Sequence, residues 1–353
     1  MKKVLLATTM LVAGASVAAA EVTLSGDARM GIIGGGIDNP ATAQKEDATA
    51  FTSRARVAFT LSGESDSGLS FGASFRADNA GAAAGGTAGS VFISGAFGKL
   101  SMGDVDGAAQ KATGHVAGVG LTGLGDLNES TFLGAGGLNV LTQAFAGPGQ
   151  TANPLETGDP TLLYEYSAGD FTGYFSITNP ADITTGGAGA LNTLASNAEA
   201  VAIGATYKFG DYAIGLGHEQ LKGYVNAGPG AAPNPAVDNT NLKHTVVSVS
   251  GTVAGVTVKG LYGKASGTLA GANVVRPGFN GKQYAASASY TTGAITGTVF
   301  YADDSALGGV AAYGIGGSYD LGGGAKVVGG VAKTKVAGPG DATTFDLGVS
   351  LSF

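Results

Sequence analysis

The chain has 353 residues, with 19 Lys and Arg against 26 Asp and Glu, 63 glycines, and neither cysteine nor tryptophan. An acidic balance without basic runs excludes a nucleic-acid-binding role, and the absence of cysteine excludes a disulfide framework. Charged residues are only 13%, about half the share in soluble globular chains, yet after position 20 no run of about 18 apolar residues could form a membrane helix.

The first segment, "MKKVLLATTMLVAGASVAAA", has Lys2 and Lys3, then an apolar run, then Ala18, Ala19 and Ala20. These are the n-region, h-region and small-residue cleavage site of an export signal over residues 1–20. The mature chain then spans 21–353 and leaves the cytoplasm. An apolar, exported chain without membrane helices points to a closed β-barrel, because strands satisfy their backbone in lipid only when no edge is left open.

Period-2 alternation follows along the chain. Val22, Leu24, Ala28, Met30 and Ile32 alternate with Thr23, Ser25, Asp27 and Arg29. Phe51, Ala55, Val57, Phe59 and Leu61 share one face of the next segment, opposite Thr52, Arg54, Arg56 and Thr60. Leu69, Phe71, Ala73, Phe75 and Ala77 oppose Ser70, Ser74, Arg76 and Asp78. Tyr284, Ala286, Ala288 and Tyr290 oppose Gln283, Ser287 and Ser289. The chain ends on Phe345, Leu347, Val349, Leu351 and Phe353, with Asp346 on the other face.

The links fall into two alternating kinds. Short ones lie at 62–68, 95–99, 167–171, 208–212, 253–256, 291–294 and 320–325. Longer polar or glycine-rich ones lie near 34–49, 79–89, 104–160, 180–197, 222–242, 266–281, 303–309 and 337–341. Fifteen links join sixteen strands, which predicts an all-β, 16-stranded antiparallel transmembrane barrel with short periplasmic turns, longer outer loops and both termini on the periplasmic side. Energetics orient the strands: an arginine facing the hydrocarbon midplane costs about 2–4 kcal/mol. Arg29, Arg54, Arg56 and Arg76 are therefore expected in the lumen, with Phe51, Val57, Phe59 and Leu61 against lipid. Asp346 turns inward at the strand that closes the cylinder.

The segments "EVTLSGDARMG", "SRARVAFTLSGESDSGLSFGASFRA", "VFISGAFGKLSMGD", "LLYEYSAGDF" and "YDLGGGAKVVGGVA" resemble the sixteen-stranded general porins of purple photosynthetic bacteria and other alphaproteobacteria. The likeness runs from the start to the end of the mature chain. It implies a homotrimer of water-filled pores in the outer membrane of a Gram-negative bacterium, in contact with membrane lipid and lipopolysaccharide and passing small hydrophilic solutes and ions. It implies that the terminal strand, Phe345 to Phe353, is read by the barrel-assembly machinery. It also implies that the third outer loop folds inward and sets acidic groups against a basic wall. The third longer link, 104–160, is the longest here. By position Arg29, Arg54, Arg56 and Arg76 match the wall; Asp104, Asp106, Asp126, Glu129, Glu156 and Asp159 are the acidic candidates. Some relatives bind calcium through loop carboxylates, but no dense run of oxygen ligands occurs in this loop, and no cofactor is expected.

The functional expectation is a general diffusion pore of weak ion selectivity, and not an enzyme. Unit charges about 10 Å apart in water interact by only ~0.4 kcal/mol. A solute-specific channel for a sugar or carboxylate is the alternative, disfavoured by a lumen phase of mostly Ser, Thr, Gly and Ala. A closed adhesive barrel is a third class. His115, His218 and His244 show no metal-ligand spacing, and Gly118, Gly120 and Gly123 spell G-x-G-x-x-G without a strand–helix unit. Those glycines are expected to let a packed loop turn, and Gly314, Gly316 and Gly317 to flatten the lipid face for subunit packing.

Overall fold

A computed structural model describes residues 21–39, 44–45, 48–78, 87–133, 161–178, 185–186, 190–191, 196–225, 240–271, 274–307, 310–335 and 341–353. The export signal expected over 1–20 lies outside them. Sixteen strands form the wall. They are β1 (Glu21–Asn39), β2 (Ala48–Glu64), β3 (Ser70–Asp78), β4 (Thr87–Gly95), β5 (Gly98–Gly103), β6 (Thr161–Ala168), β7 (Phe171–Thr178) and β8 (Ser196–Phe209). They continue as β9 (Tyr212–Val225), β10 (Thr240–Val253), β11 (Val256–Gly271), β12 (Val274–Thr292), β13 (Ile295–Asp303), β14 (Ala311–Gly322), β15 (Ala325–Lys335) and β16 (Ala342–Ser352). Each pairs antiparallel with its chain neighbours.

The cylinder closes where β1 pairs with β16, from Asp27 opposite Ser352 to Ile37 opposite Ala342. Two further bonds tie the seam end: Phe353 N–H donates to Gly26 O at 2.9 Å, and Gly26 N–H to Phe353 O at 3.3 Å. The seam is tight. A Cβ on Gly348 would stand 2.2 Å from Met30 O. Glu21 pairs with Ser62 beside the 65–69 turn, and Ser352 N–H donates to Gly324 O. Glu21 and Phe353 therefore both sit at the short-turn end.

That end carries the seven predicted short turns. Ala254–Gly255, one of several two-residue turns there, has φ of 50° and 81°, the pair of left-handed residues of a type I′ turn, whose twist matches that of the strands. The link predicted over 266–281 is different from expectation. Strand β11 runs on to Gly271 and β12 starts at Val274, with a register shift at Gly267/Thr268 that sets Thr268 opposite Pro277. Glycine and polar content there did not break the pairing, and the irregularity admits a proline that has no N–H to donate.

The two faces separate as the alternation predicts. Val57, Leu61, Phe71 and Phe75 are exposed on the outer phase, as are Met30, Phe345 and Leu347. Asp346 is 3% exposed on the opposite phase. Tyr262 lies opposite Tyr284 and Tyr301 opposite Tyr313; Tyr301 faces Ala286, two residues from Tyr284, so the four form a staggered row across β11–β14. Tyr290 and Tyr319 lie nearer the turns. No helix among the described residues is long and apolar enough to cross a membrane. Gly314 and Gly316 do not flatten the lipid face. A Cβ on Gly316 would stand 2.8 Å from Val119, and one on Gly314 3.0 Å, because both lie beneath the segment that follows β5. Gly317, one residue on, has the outward phase.

Leu347 is half-exposed at the middle of β16. Leu347→Arg is expected to lower unfolding stability in phospholipid vesicles by about 2–4 kcal/mol, as read from urea titration of tryptophan-free far-UV signal. A change within about 0.5 kcal/mol would place that face in water instead.

Candidate functional site

Strands β1–β3 bring the four predicted arginines together. Arg29 lies directly opposite Arg54, and Asp27 opposite Arg56; Arg56 lies opposite Asp78. Like charges facing each other across a ladder repel, and carboxylates on the same strands offset this. Arg54 donates to Asp27 at 2.7 Å. Arg56 and Arg76 share Asp78 at 3.0 and 2.6 Å. Four guanidiniums thus face two carboxylates, so the wall is a mixed cluster with a positive excess. Arg29 reaches away from the wall, its Nη1 donating to Leu121 O at 3.4 Å.

Leu121 belongs to the segment after β5. It begins with a short helix, α1 (Ala108–Thr113), whose first N–H donates to Ser176 Oγ at 2.8 Å. The helix lies on β8 and β9 at Gly204, Gly215 and Gly217. A Cβ at any of the three would meet α1 atoms at 2.2–2.7 Å, so only glycine admits it. Thr206 Oγ1 donates to Ala112 O. Ala117 N–H then donates to Ser287 Oγ on β12. Next, Leu121 N–H, Thr122 N–H and Thr122 Oγ1 all donate to the Asp346 carboxylate at 2.6–2.8 Å. Gly120 has φ +88°, and a side chain there would strike that carboxylate. The G-x-G-x-x-G spelling is therefore loop packing, as expected.

The end of the segment's described part, around Thr131–Leu133, is held by a buried polar chain that sequence reasoning missed. Leu133 N–H donates to Glu219 Oε1 at 2.7 Å, and the same oxygen lies 2.6 Å from His244 Nδ1. His244 Nε2 bonds Gln283 Oε1. Gln283 Nε2 donates to Asp304 Oδ1 at 3.0 Å and to Thr131 O at 3.2 Å. Thr131 N–H returns to Asp304 Oδ2 at 2.6 Å. Glu219, His244 and Gln283 are at most 1% exposed. Phe132 caps the chain, its ring edge-on to both His115 and His244. The available signal was phase: Glu219, His244 and Gln283 share the inward phase with buried Leu221, Leu242 and Ala285, an apolar setting that open water would not favour.

Three of the four principal acidic candidates gather. Asp106, which accepts from Gln110 Nε2 at 2.9 Å, lies with Asp126 close enough to Glu129 to act on its titration. Burial, then those two charges, push the Glu129 carboxyl above its ordinary range. Asp104 stays apart at the end of β5, its N–H on Gly89 O. Glu156 and Asp159 lie outside the described residues. Burial pushes His115 below its ordinary value, against Asp106; its Nδ1 accepts from Ser130 N–H at 2.9 Å. Burial likewise raises Asp304, partly offset by hydrogen bonds from Gln283 and Thr131. Among the described residues no group of three or more His, Asp or Glu side chains is placed to hold a metal ion.

The family described as Gram-negative porin matches residues 7–338. A porin of Rhodobacter capsulatus is 36% identical over 341 residues, covering 94% of this chain and all of its own length. Among solved structures, a porin refined at 1.8 Å superposes with a TM-score of 0.68 at 32% identity, over 94% of this chain and all of that one. A triple mutant of the Rhodopseudomonas blastica porin, 20% identical over the same shares, has a TM-score of 0.56 and shares the fold.

Asp346→Ala removes the acceptor for two amides and a hydroxyl. Hydrogen–deuterium exchange at Leu121 and Thr122 is expected to quicken at least about tenfold, since hydrogen bonds to a charged group contribute about 1.5–3 kcal/mol. Protection of the β16 ladder should be unchanged. Unaltered exchange at both amides would show that Asp346 does not hold the segment.

Proposed function

The chain belongs to the Gram-negative porin family, and on that premise we propose how its pore is narrowed, charged and assembled. It is a general diffusion porin of the outer membrane and catalyses no reaction. Residues 104–133, the described part of the 104–160 link, act as the constriction loop inside the barrel. The observation that carries this is the set of loop amides donating to Ser176, Glu219, Ser287, Asp304 and Asp346. These acceptors belong to β7, β9, β12, the link after β13, and β16. The strand residues among them have the phase opposite to the exposed apolar stripe. If that stripe meets lipid, the loop lies in the lumen.

Selectivity then comes from two charged groups. Arg29, Arg54, Arg56 and Arg76 with Asp27 and Asp78 supply one side; Asp106, Asp126 and Glu129 supply the other. Screening beyond about 8 Å at physiological salt limits each charge to a modest effect. The protein assembles as a homotrimer. Its terminal strand, with Phe353 80% exposed at the seam, supplies the aromatic end read by the insertion machinery.

Replacing Arg54 and Arg56 with Ser frees Asp27 and half of Asp78's pairing, leaving the wall more negative. The reversal potential in a tenfold salt gradient is expected to move toward cations, by about a twofold change in permeability ratio. An unchanged potential would remove these arginines from the pathway.

A second expectation concerns acid. A carboxyl whose value is raised loses charge at a higher pH than an ordinary glutamate. Cation preference should therefore decline on acidification before free carboxylates titrate, and Glu129→Gln should abolish that early component. If the variant titrates like the parent, Glu129 does not face the ion path.

A further inference from the structure

On the outer phase of β10–β12, beyond the tyrosine row and toward the loop end, three lysines stand together. Lys264 lies directly opposite Lys282, one repeat beyond the Tyr262–Tyr284 pair. Lys243 is diagonal to Lys264, since Thr245 faces Lys264 and Lys243 faces Ser266. All three are exposed. Lys222, exposed on β9 opposite Asn241, adds a further cation at the edge of the patch, and the remaining neighbours on β9 and β10 are polar. Gln220 bonds Asn241 at 2.9 Å, and His218 bonds Thr245 at 2.8 Å. Among the described residues none of the three lysines forms an ion pair. Asp303, opposite Tyr284 in register, is engaged by Tyr301 and Ser305 instead.

A like-charged pair held face to face on a ladder is unfavourable without an anion. Three unpaired ammonium groups just beyond a tyrosine row sit where aromatic girdles meet the headgroup layer. Long links mark the outward end of such barrels, so this layer is the outer leaflet. We propose that Lys243, Lys264 and Lys282 bind the phosphate of an outer-leaflet lipid headgroup whose acyl chains lie along the Tyr262, Tyr284 face. The complementarity is one of charge and depth together: ammonium groups at headgroup level, apolar wall below. The proposal rests on the outer-membrane reading of this barrel and names the lipid that reading leaves open.

The test compares wild type with K243Q/K264Q/K282Q, each refolded in zwitterionic detergent. The probes are diphosphoryl lipid A, its dephosphorylated form and inorganic phosphate, with binding read by native mass spectrometry. Wild type should retain diphosphoryl lipid A. The triple variant should bind it at least about tenfold more weakly, since each lysine near an anionic surface contributes about fivefold. Millimolar inorganic phosphate should not displace it. Equal binding by the variant, equal retention of dephosphorylated lipid, or displacement by free phosphate would each overturn the proposal. So would protection of the three lysines from acylation by subunit contact in lipid-free oligomers. Lys264→Glu gives an independent check. It sets an opposite charge against Lys282, and is expected to raise thermal stability in detergent while losing lipid A retention; retention by this folded variant would contradict the assignment. Unchanged bilayer conductance in both variants keeps the pore reading separate from the lipid result.

Discussion

A backbone amide in hydrocarbon has no water to bond, and that single constraint shapes the whole molecule. Every strand needs a neighbour on both sides, so sixteen strands must close. Closure happens where β1 meets β16, and the two Phe353–Gly26 bonds finish the ladder at its last residue. Glycines at the seam, Gly31 and Gly348, let the two backbones approach without a Cβ between them. An open edge at this point would leave a row of unpaired donors and acceptors in lipid.

The same accounting governs the segment after β5. Its described part, 104–133, is irregular apart from α1, so its amides find few partners along their own chain. Side chains of the wall supply acceptors instead: Ser176, Ser287, Asp346, Asp304 and Glu219 in turn. This explains a composition that looks inconsistent with a water-filled barrel. Leu221, Leu242 and Leu261 occupy the inward phase and are buried. Leu261 packs in one apolar cluster with Val116, Val119, Leu124 and Phe132 of the segment. A loop that brings its own hydrophobic face needs an apolar wall beneath it and fixed acceptors at its rim.

Much of the architecture was legible in the sequence because lipid and water impose a strict period of two. Arg54 and Val57, three residues apart, differ in phase, and a charge in lipid is costly enough to settle which goes where. Strand number followed from the alternation of short and long links. The 266–281 hairpin misled because glycine and polar residues suit a turn, whereas the backbone ladder runs on through them. The site was half legible. Arg29, Arg54, Arg56 and Arg76 were found from phase alone, but their partners Asp27 and Asp78 were not weighed as members of the cluster. The clamp of Glu219, His244, Gln283 and Asp304 was invisible because its members lie on three strands and a link, and only the register joins them. Asp346 was placed inward correctly, yet its role depends on amides more than 220 residues away in sequence, which no local pattern encodes.

The account stands on the polar face enclosing water that conducts while the apolar face meets lipid. The chain has no cysteine, so single thiols introduced as Arg54→Cys and Val57→Cys, three residues apart on β2, test it directly. In planar bilayers, a membrane-impermeant charged thiosulfonate should step the conductance of open Arg54→Cys channels and leave Val57→Cys channels unchanged. A conductance step in the Val57→Cys channels with none in the Arg54→Cys channels would contradict the account.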